Sequence, residues 1–84
     1  MIGQVTWYNA AKFYGFINEG TNRWFFHVSN TEKNFRVSLG AIVEFELGAP
    51  ISLGKAPQAI NVRVASAEAV IIDAARKAGV GGGQ

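Results

Sequence analysis

Lys12-Phe13-Tyr14-Gly15-Phe16-Ile17, together with Trp24-Phe25-Phe26-His27-Val28 further on, decides how this chain folds. Successive side chains of a strand point to opposite faces. In the first segment Lys12, Tyr14 and Phe16 therefore share one face, and Phe13, Gly15 and Ile17 the other. In the second, Phe25 and His27 oppose Trp24, Phe26 and Val28. Both faces carry apolar bulk, yet a chain of 84 residues has little material with which to cover a second face. One face is expected to stay open to solvent, and the one that holds the cation and the imidazole is the natural choice. Its chemistry is aromatic plus basic.

The neighbouring segments extend this into a barrel. Strands are expected near 3–9, 13–19, 23–29, 42–48 and 58–65, with a helix over 67–78. Turn-like residues Asn9 to Ala11 and Glu19 to Asn22 join the first three strands into a meander. The polar connection over 30–41, through Asn30, Thr31, Glu32, Lys33 and Asn34, is long enough to carry the chain to another edge, as a Greek-key barrel requires. Val43, Phe45 and Leu47 are read as inward against outward Glu44 and Glu46. After a loop with Gly48, Pro50, Gly54 and Pro57, Ile60, Val62 and Val64 are read as inward against Asn61 and Arg63. The expected organisation is an all-β, five-stranded antiparallel Greek-key barrel over 1–65, an amphipathic helix over 66–79 and a flexible Gly-rich tail over 80–84. Ser66 is placed to cap the helix with Glu68 in its first turn; Val70, Ile71, Ala74 and Ala78 form an apolar stripe; Arg76 and Lys77 suit the last turn, and Gly79 the end.

Composition restricts what such a barrel can do. Without cysteine it has neither a disulfide framework nor a thiolate metal site. The net charge is +2, and residues 1–64 carry six Lys/Arg against four Glu. That field is weak, so phosphate neutralisation alone does not make a tight binder. Aromatic residues supply another source of affinity: nine of the ten lie between Trp7 and Phe35. Phe13, Trp24 and Phe26 are assigned to the barrel interior, leaving Tyr14, Phe16 and Phe25 outside.

Several chemistries find no support. Glu44 and Glu46 flank Phe45 on a strand with no nucleophile or metal-ligand partner, and a solvated strand face explains them. No Cys/His cluster or phosphate-cradling glycine loop is visible, so the chain is read as non-enzymatic, with no metal and no cofactor. The longest apolar runs span three or four residues and no basic region leads into an apolar stretch at the N-terminus, so a cytoplasmic protein without membrane insertion is expected.

The run Gly3-Gln4-Val5-Thr6-Trp7-Tyr8-Asn9-Ala10-Ala11-Lys12-Phe13-Tyr14-Gly15-Phe16-Ile17 resembles the opening of the cold-shock domain, G-x-V-K-W-F-N-x-x-K-G-F-G-F-I. Trp24-Phe25-Phe26-His27-Val28 is similar to that family's V-F-V-H-F motif, and Lys55-Ala56-Pro57-Gln58-Ala59-Ile60-Asn61-Val62 to its G-P-Q-A-x-N-V segment. The resemblance covers residues 3–64 and implies an oligonucleotide-binding (OB-fold) barrel whose second and third strands carry the ligand face. Carried over position by position, it implies stacking by Trp7, Tyr14, Phe16, Phe25, His27 and Phe35, supporting contacts from Tyr8 and Lys12, a basic contact from Lys55, and Pro57 and Gln58 at the same end. The chain departs from the pattern at Phe13, which stands at a family glycine, at Val28, which replaces a ring, at Thr6, which replaces a lysine, and at Trp24, where a small aliphatic residue is usual; the loop Gly48 to Ala56 is also longer.

The expected function is binding of single-stranded RNA or DNA by aromatic stacking with low sequence specificity, in the manner of an RNA chaperone. The competing expectation is a protein-interaction or oligomerisation module in which the helix of residues 67–78 contacts a second copy or a partner; the plainer reading of that helix is that it docks on its own barrel. Carbohydrate binding on a similar barrel uses aromatics too, but has no need of Lys12 and Lys55.

Overall fold

The computed structural model describes residues 1–78. Its strands are β1 (Ile2–Asn9), β2 (Tyr14–Glu19), β3 (Asn22–His27), β4 (Ile42–Gly48) and β5 (Gln58–Val64), and a helix, α1 (Ala67–Lys77), follows them. All pairings are antiparallel, in one sheet ordered β3-β2-β1-β4-β5. A meander whose fourth strand returns beside the first is the Greek-key arrangement. The outer strands β3 and β5 come into contact, and Thr31 bridges to Val62, with Glu32 N–H donating to the Val62 carbonyl at 2.7 Å. The sheet thereby curls into a barrel. The tail over 80–84 and the helix stop at Gly79 lie outside the described residues.

Seven side chains fill the interior: Val5, Ile17, Phe26, Val43, Phe45, Ala59 and Val62 are fully buried. Tyr8, Trp24, Phe35, Val37 and Ala41 pack around them, half-buried. Trp24 directs its indole N–H to Glu19 Oε1 at 3.1 Å, which satisfies the polar atom of a large ring without taking it out of the core. In a domain without cross-links, each fully buried large apolar side chain contributes on the order of 1.5–3 kcal/mol.

Two strands change phase partway, and both changes correct simple alternation. On β1, Val5 pairs with Ile17 and Trp7 with Phe16, so two steps along β1 answer one along β2 and Thr6 is the extra residue. On β5 the pairs are Glu44 with Arg63 and Glu46 with Ile60, three steps against two. The surplus lies at Asn61, whose φ of 52° is left-handed. Beyond this bulge Val62 is buried and Val64 is 70% exposed; on the other side of it Ala59, not Ile60, faces the core. The inward reading of Ile60 and Val64 is therefore corrected. Leu47, also read as inward, is exposed, because β4 runs past the core at its far end.

Phe13 is the other correction. Alternation along the strand predicts it inward, yet Phe13 is 55% exposed. The chain makes a single helical turn between β1 and β2, closed by Phe13 N–H to the Asn9 carbonyl at 2.8 Å, with Asn9 Oδ1 accepting from Lys12 N–H at 3.1 Å. Such a turn ends in the left-handed region, and Phe13 has φ 61°. Its carbonyl accepts from Val28 N–H at 2.9 Å, which pins the turn to the end of β3. The conformation suits the glycine that the cold-shock pattern has there, and Phe13 adopts it while its ring swings outward.

The helix begins as the sequence implies: Ser66 Oγ accepts from Ala69 N–H at 3.0 Å, and Ser66 N–H donates to Glu44 Oε1 at 3.2 Å, tying the cap to β4. None of its residues is buried. It lies beside β1, with Val70 and Ala74 lining a groove against Ile2 and Ile42. Ile71, read as part of the docking stripe, points away and is 68% exposed.

Candidate nucleic-acid interface

The bulge at Thr6 creates the candidate site. Counting by twos from buried Val5 would turn Trp7 inward and Tyr8 outward; the extra residue reverses this, and Trp7 stands outside, 40% exposed, opposite Phe16. Tyr8 goes to the core side and stacks on Phe26, with centroids 6.4 Å apart. Gly15, opposite Tyr8, permits the close approach: a Cβ there would strike the Trp7 carbonyl oxygen and stand 3.0 Å from the Phe26 ring.

Strand pairing then lines up the aromatic face. Trp7 pairs with Phe16, and Phe16 with Phe25, which sets one row of rings across three adjacent strands. The next row is Asn9, Tyr14 and His27. Ring centroids are 5.7 Å apart for Trp7 and Phe16, 6.0 Å for Phe16 and Phe25, 5.4 Å for Trp7 and Tyr14, and 5.3 Å for Tyr14 and Phe25. Trp7 is tilted against Phe16 and Tyr14, Phe16 meets Phe25 edge-on and Tyr14 stacks on Phe25, so the rings hold one another in place. The result is a contiguous aromatic patch, Trp7 exposed and Tyr14, Phe16 and Phe25 half-buried, built on strands rather than on loops.

His27 closes the second row. Its Nδ1 accepts from Ser29 N–H at 3.1 Å and lies 2.9 Å from Ser29 Oγ. With Nδ1 occupied as an acceptor, a neutral ring carries its proton on Nε2.

Not every residue implied by the resemblance joins the patch. Phe35 packs against the core cluster and pairs with none of the four rings. Gln58 spends its amide on structure: Nε2 donates to the Ala49 carbonyl at 3.0 Å and Oε1 accepts from Asn30 Nδ2 at 3.1 Å, tying the β4–β5 loop to the turn after β3. Lys12 is exposed in the turn before β2. Lys55 and Pro57 approach from the β4–β5 loop and line, with Ile51, Phe16, Arg23 and Phe25, an open groove of about 320 Å³.

Arg23 and Ile51 are the members that the sequence reading missed. The guanidinium carbon of Arg23 sits 4.2 Å from the Phe16 centroid, a cation–π contact. Its signal was legible, since Arg23 precedes Phe25 and His27 at the same two-residue spacing. Ile51 had none, because a loop has no parity. The charges are also sorted: among the described residues the ion pairs are those of Arg63 with Glu44 and Glu46 and of Lys77 with Asp73. Arg23 and Lys55 beside Phe16 and Phe25, and Lys12 in the turn before β2, are thus left without a carboxylate partner.

Comparison with curated proteins finds no match. The family model described as the 'Cold-shock' DNA-binding domain matches residues 1–65, which spans all five strands and stops short of the helix. The chain belongs to the cold-shock domain family, a family of nucleic-acid-binding domains.

Proposed function

We propose that this protein binds unpaired RNA or DNA with little sequence specificity, by stacking successive bases on Trp7, Tyr14, Phe16 and Phe25, with His27 at the end of the second row. The observation that carries this reading is the row Trp7, Phe16 and Phe25, directly paired across three strands on an exposed face. Every base has a π face, and stacking on an aromatic side chain contributes roughly 1–3 kcal/mol per base. Lys12 and Lys55 meet phosphates at the two ends. Bases held this way cannot re-pair, so bound strands lose secondary structure without nucleotide hydrolysis, as an RNA chaperone acts. A cytoplasmic site of action goes with this role, and no described helix is long and apolar enough to cross a membrane.

The test is a titration of heptathymidine and of an unstructured heptauridine at low salt, followed by Trp fluorescence. Quenching that saturates is expected with both. Folded protein whose emission does not change would sink the reading.

A second role is supported by the helix, in which Val70, Ile71 and Ile72 all remain exposed. We infer that it meets a second copy of this chain. Ile71 is 68% exposed on the side away from the barrel, whereas Ile72 and Arg76 line a groove against Met1, Ile2 and Glu44, so the second copy meets the Ile71 face in the self-complementary manner of a two-fold interface. Sedimentation of the intact chain and of Ile71→Lys is expected to show a dimer and a monomer; a monomeric parent at high concentration would dismiss it.

A further inference from the structure

The groove beside Phe25 differs from the rest of the aromatic face in its hydrogen-bonding character. Of the side chains that line it, two Phe, Ile, Ala and Pro have no hydrogen-bonding atom, and the other two are Arg23 and Lys55. Both are donors only. No side-chain acceptor faces a ligand in this groove.

Arg23 is also held in place with its donors unspent. The guanidinium rests on Phe16 at 4.2 Å. Its cross-strand neighbour Asn18 turns its Oδ1 to Thr6 Oγ1 at 3.2 Å, and among the described residues no hydrogen bond joins it to Arg23. Among the described residues no carboxylate pairs with Arg23. A planar fork seated on a ring loses less freedom on binding than a mobile lysine does.

We propose that Arg23 makes this groove select guanine, an inference that rests on the single-strand binding argued above and assigns a base preference to one position of it. Guanine presents two adjacent acceptors, O6 and N7, matched to the two parallel N–H groups of a guanidinium. Adenine and cytosine turn an amino donor toward the same fork, and uracil or thymine offers the single O4 acceptor. In a single strand these edges are free while the base stacks, and Phe25 supplies the stacking surface within the groove. The site is therefore tolerant along most of its length and discriminating where Arg23 stands.

The test compares heptathymidine with three heptamers in which the central base is G, A or C, by calorimetry at fixed salt, on the intact chain and on Arg23→Met. The guanine heptamer is expected to bind about tenfold more tightly than the adenine and cytosine heptamers. Arg23→Met, which keeps an apolar stem on Phe16, is expected to bring the ratio below about twofold. Equal binding of all four heptamers by the intact chain would overturn this inference and leave single-strand binding standing. Absence of binding to any of them would overturn both. If Arg23→Met weakens all four by one common factor and keeps the guanine advantage, Arg23 is a phosphate contact and the inference fails.

Discussion

Trp7 lies directly opposite Phe16, although Val5, two residues earlier, lies opposite Ile17, the immediate neighbour of Phe16. That mismatch of one residue sends Val5 into the core and Trp7 to the surface, and it is held by the close approach of β1 to Gly15. Gly15→Ala would push a methyl group into the Trp7 carbonyl and against Phe26. A loss of about 1–3 kcal/mol is expected, as for other small-to-large changes in a packed interior. Denaturant unfolding measures it, and undiminished stability would mean that β1 can move aside.

Asn61 forms the second phase change, and its side chain donates to Glu46 Oε1 at 2.8 Å. Asn61→Val raises strand propensity but puts a β-branched residue at φ 52°. The variant is expected to lose about 1–3 kcal/mol, since such a residue in that region is strained. A thermal melt at or above that of the parent would argue against the bulge.

Phe13 carries the opposite expectation. Phe13→Gly relieves a left-handed φ of 61° and removes an exposed ring. Relief of roughly 1 kcal/mol is offset by the extra freedom of glycine in the unfolded chain, about 0.4–1 kcal/mol. Stability equal to or slightly above the parent is expected in a thermal melt. A fall larger than about 1 kcal/mol, the scale of one removed packing contact, would show that the ring has a structural role.

Phe25 and Phe35 separate the platform from the core. Phe25→Ala is expected to weaken heptathymidine binding by about 1–3 kcal/mol, the worth of one stacked base. Phe35→Leu is expected to leave affinity within about twofold, because a volume-tolerant core swap alters stability and not the face. Calorimetric titration of the two variants checks both, and equal losses would place Phe35 among the stacking rings.

Salt dependence reads the phosphate contacts. With Lys12 and Lys55 as the two, log affinity should fall against log salt with a slope of about −1.4, and Lys12→Gln should make it shallower by about 0.7. A slope steeper than about −3 would require phosphate contacts beyond these two.

Much of this was legible in the order of residues. The meander, the returning fourth strand and the capped helix follow from turn residues and two-residue alternation, and Tyr14, Phe16, Phe25 and His27 share a face by parity alone. Parity also pointed to Arg23, which was overlooked because a cation on a strand reads as ordinary surface.

What the sequence by itself determined is which segments pair and which strands carry the aromatic face, since alternation along one strand is a local property of the backbone. Only the tertiary structure decided where alternation breaks. Thr6 and Asn61 are surplus residues only relative to β2 and β4, and whether a residue is surplus depends on the partner strand. The faces of Trp7, Tyr8, Ala59 and Val64 follow from those two pairings. The same holds for the seat of Arg23 on Phe16 and for the outward swing of Phe13, each set by a neighbour that the local pattern does not contain.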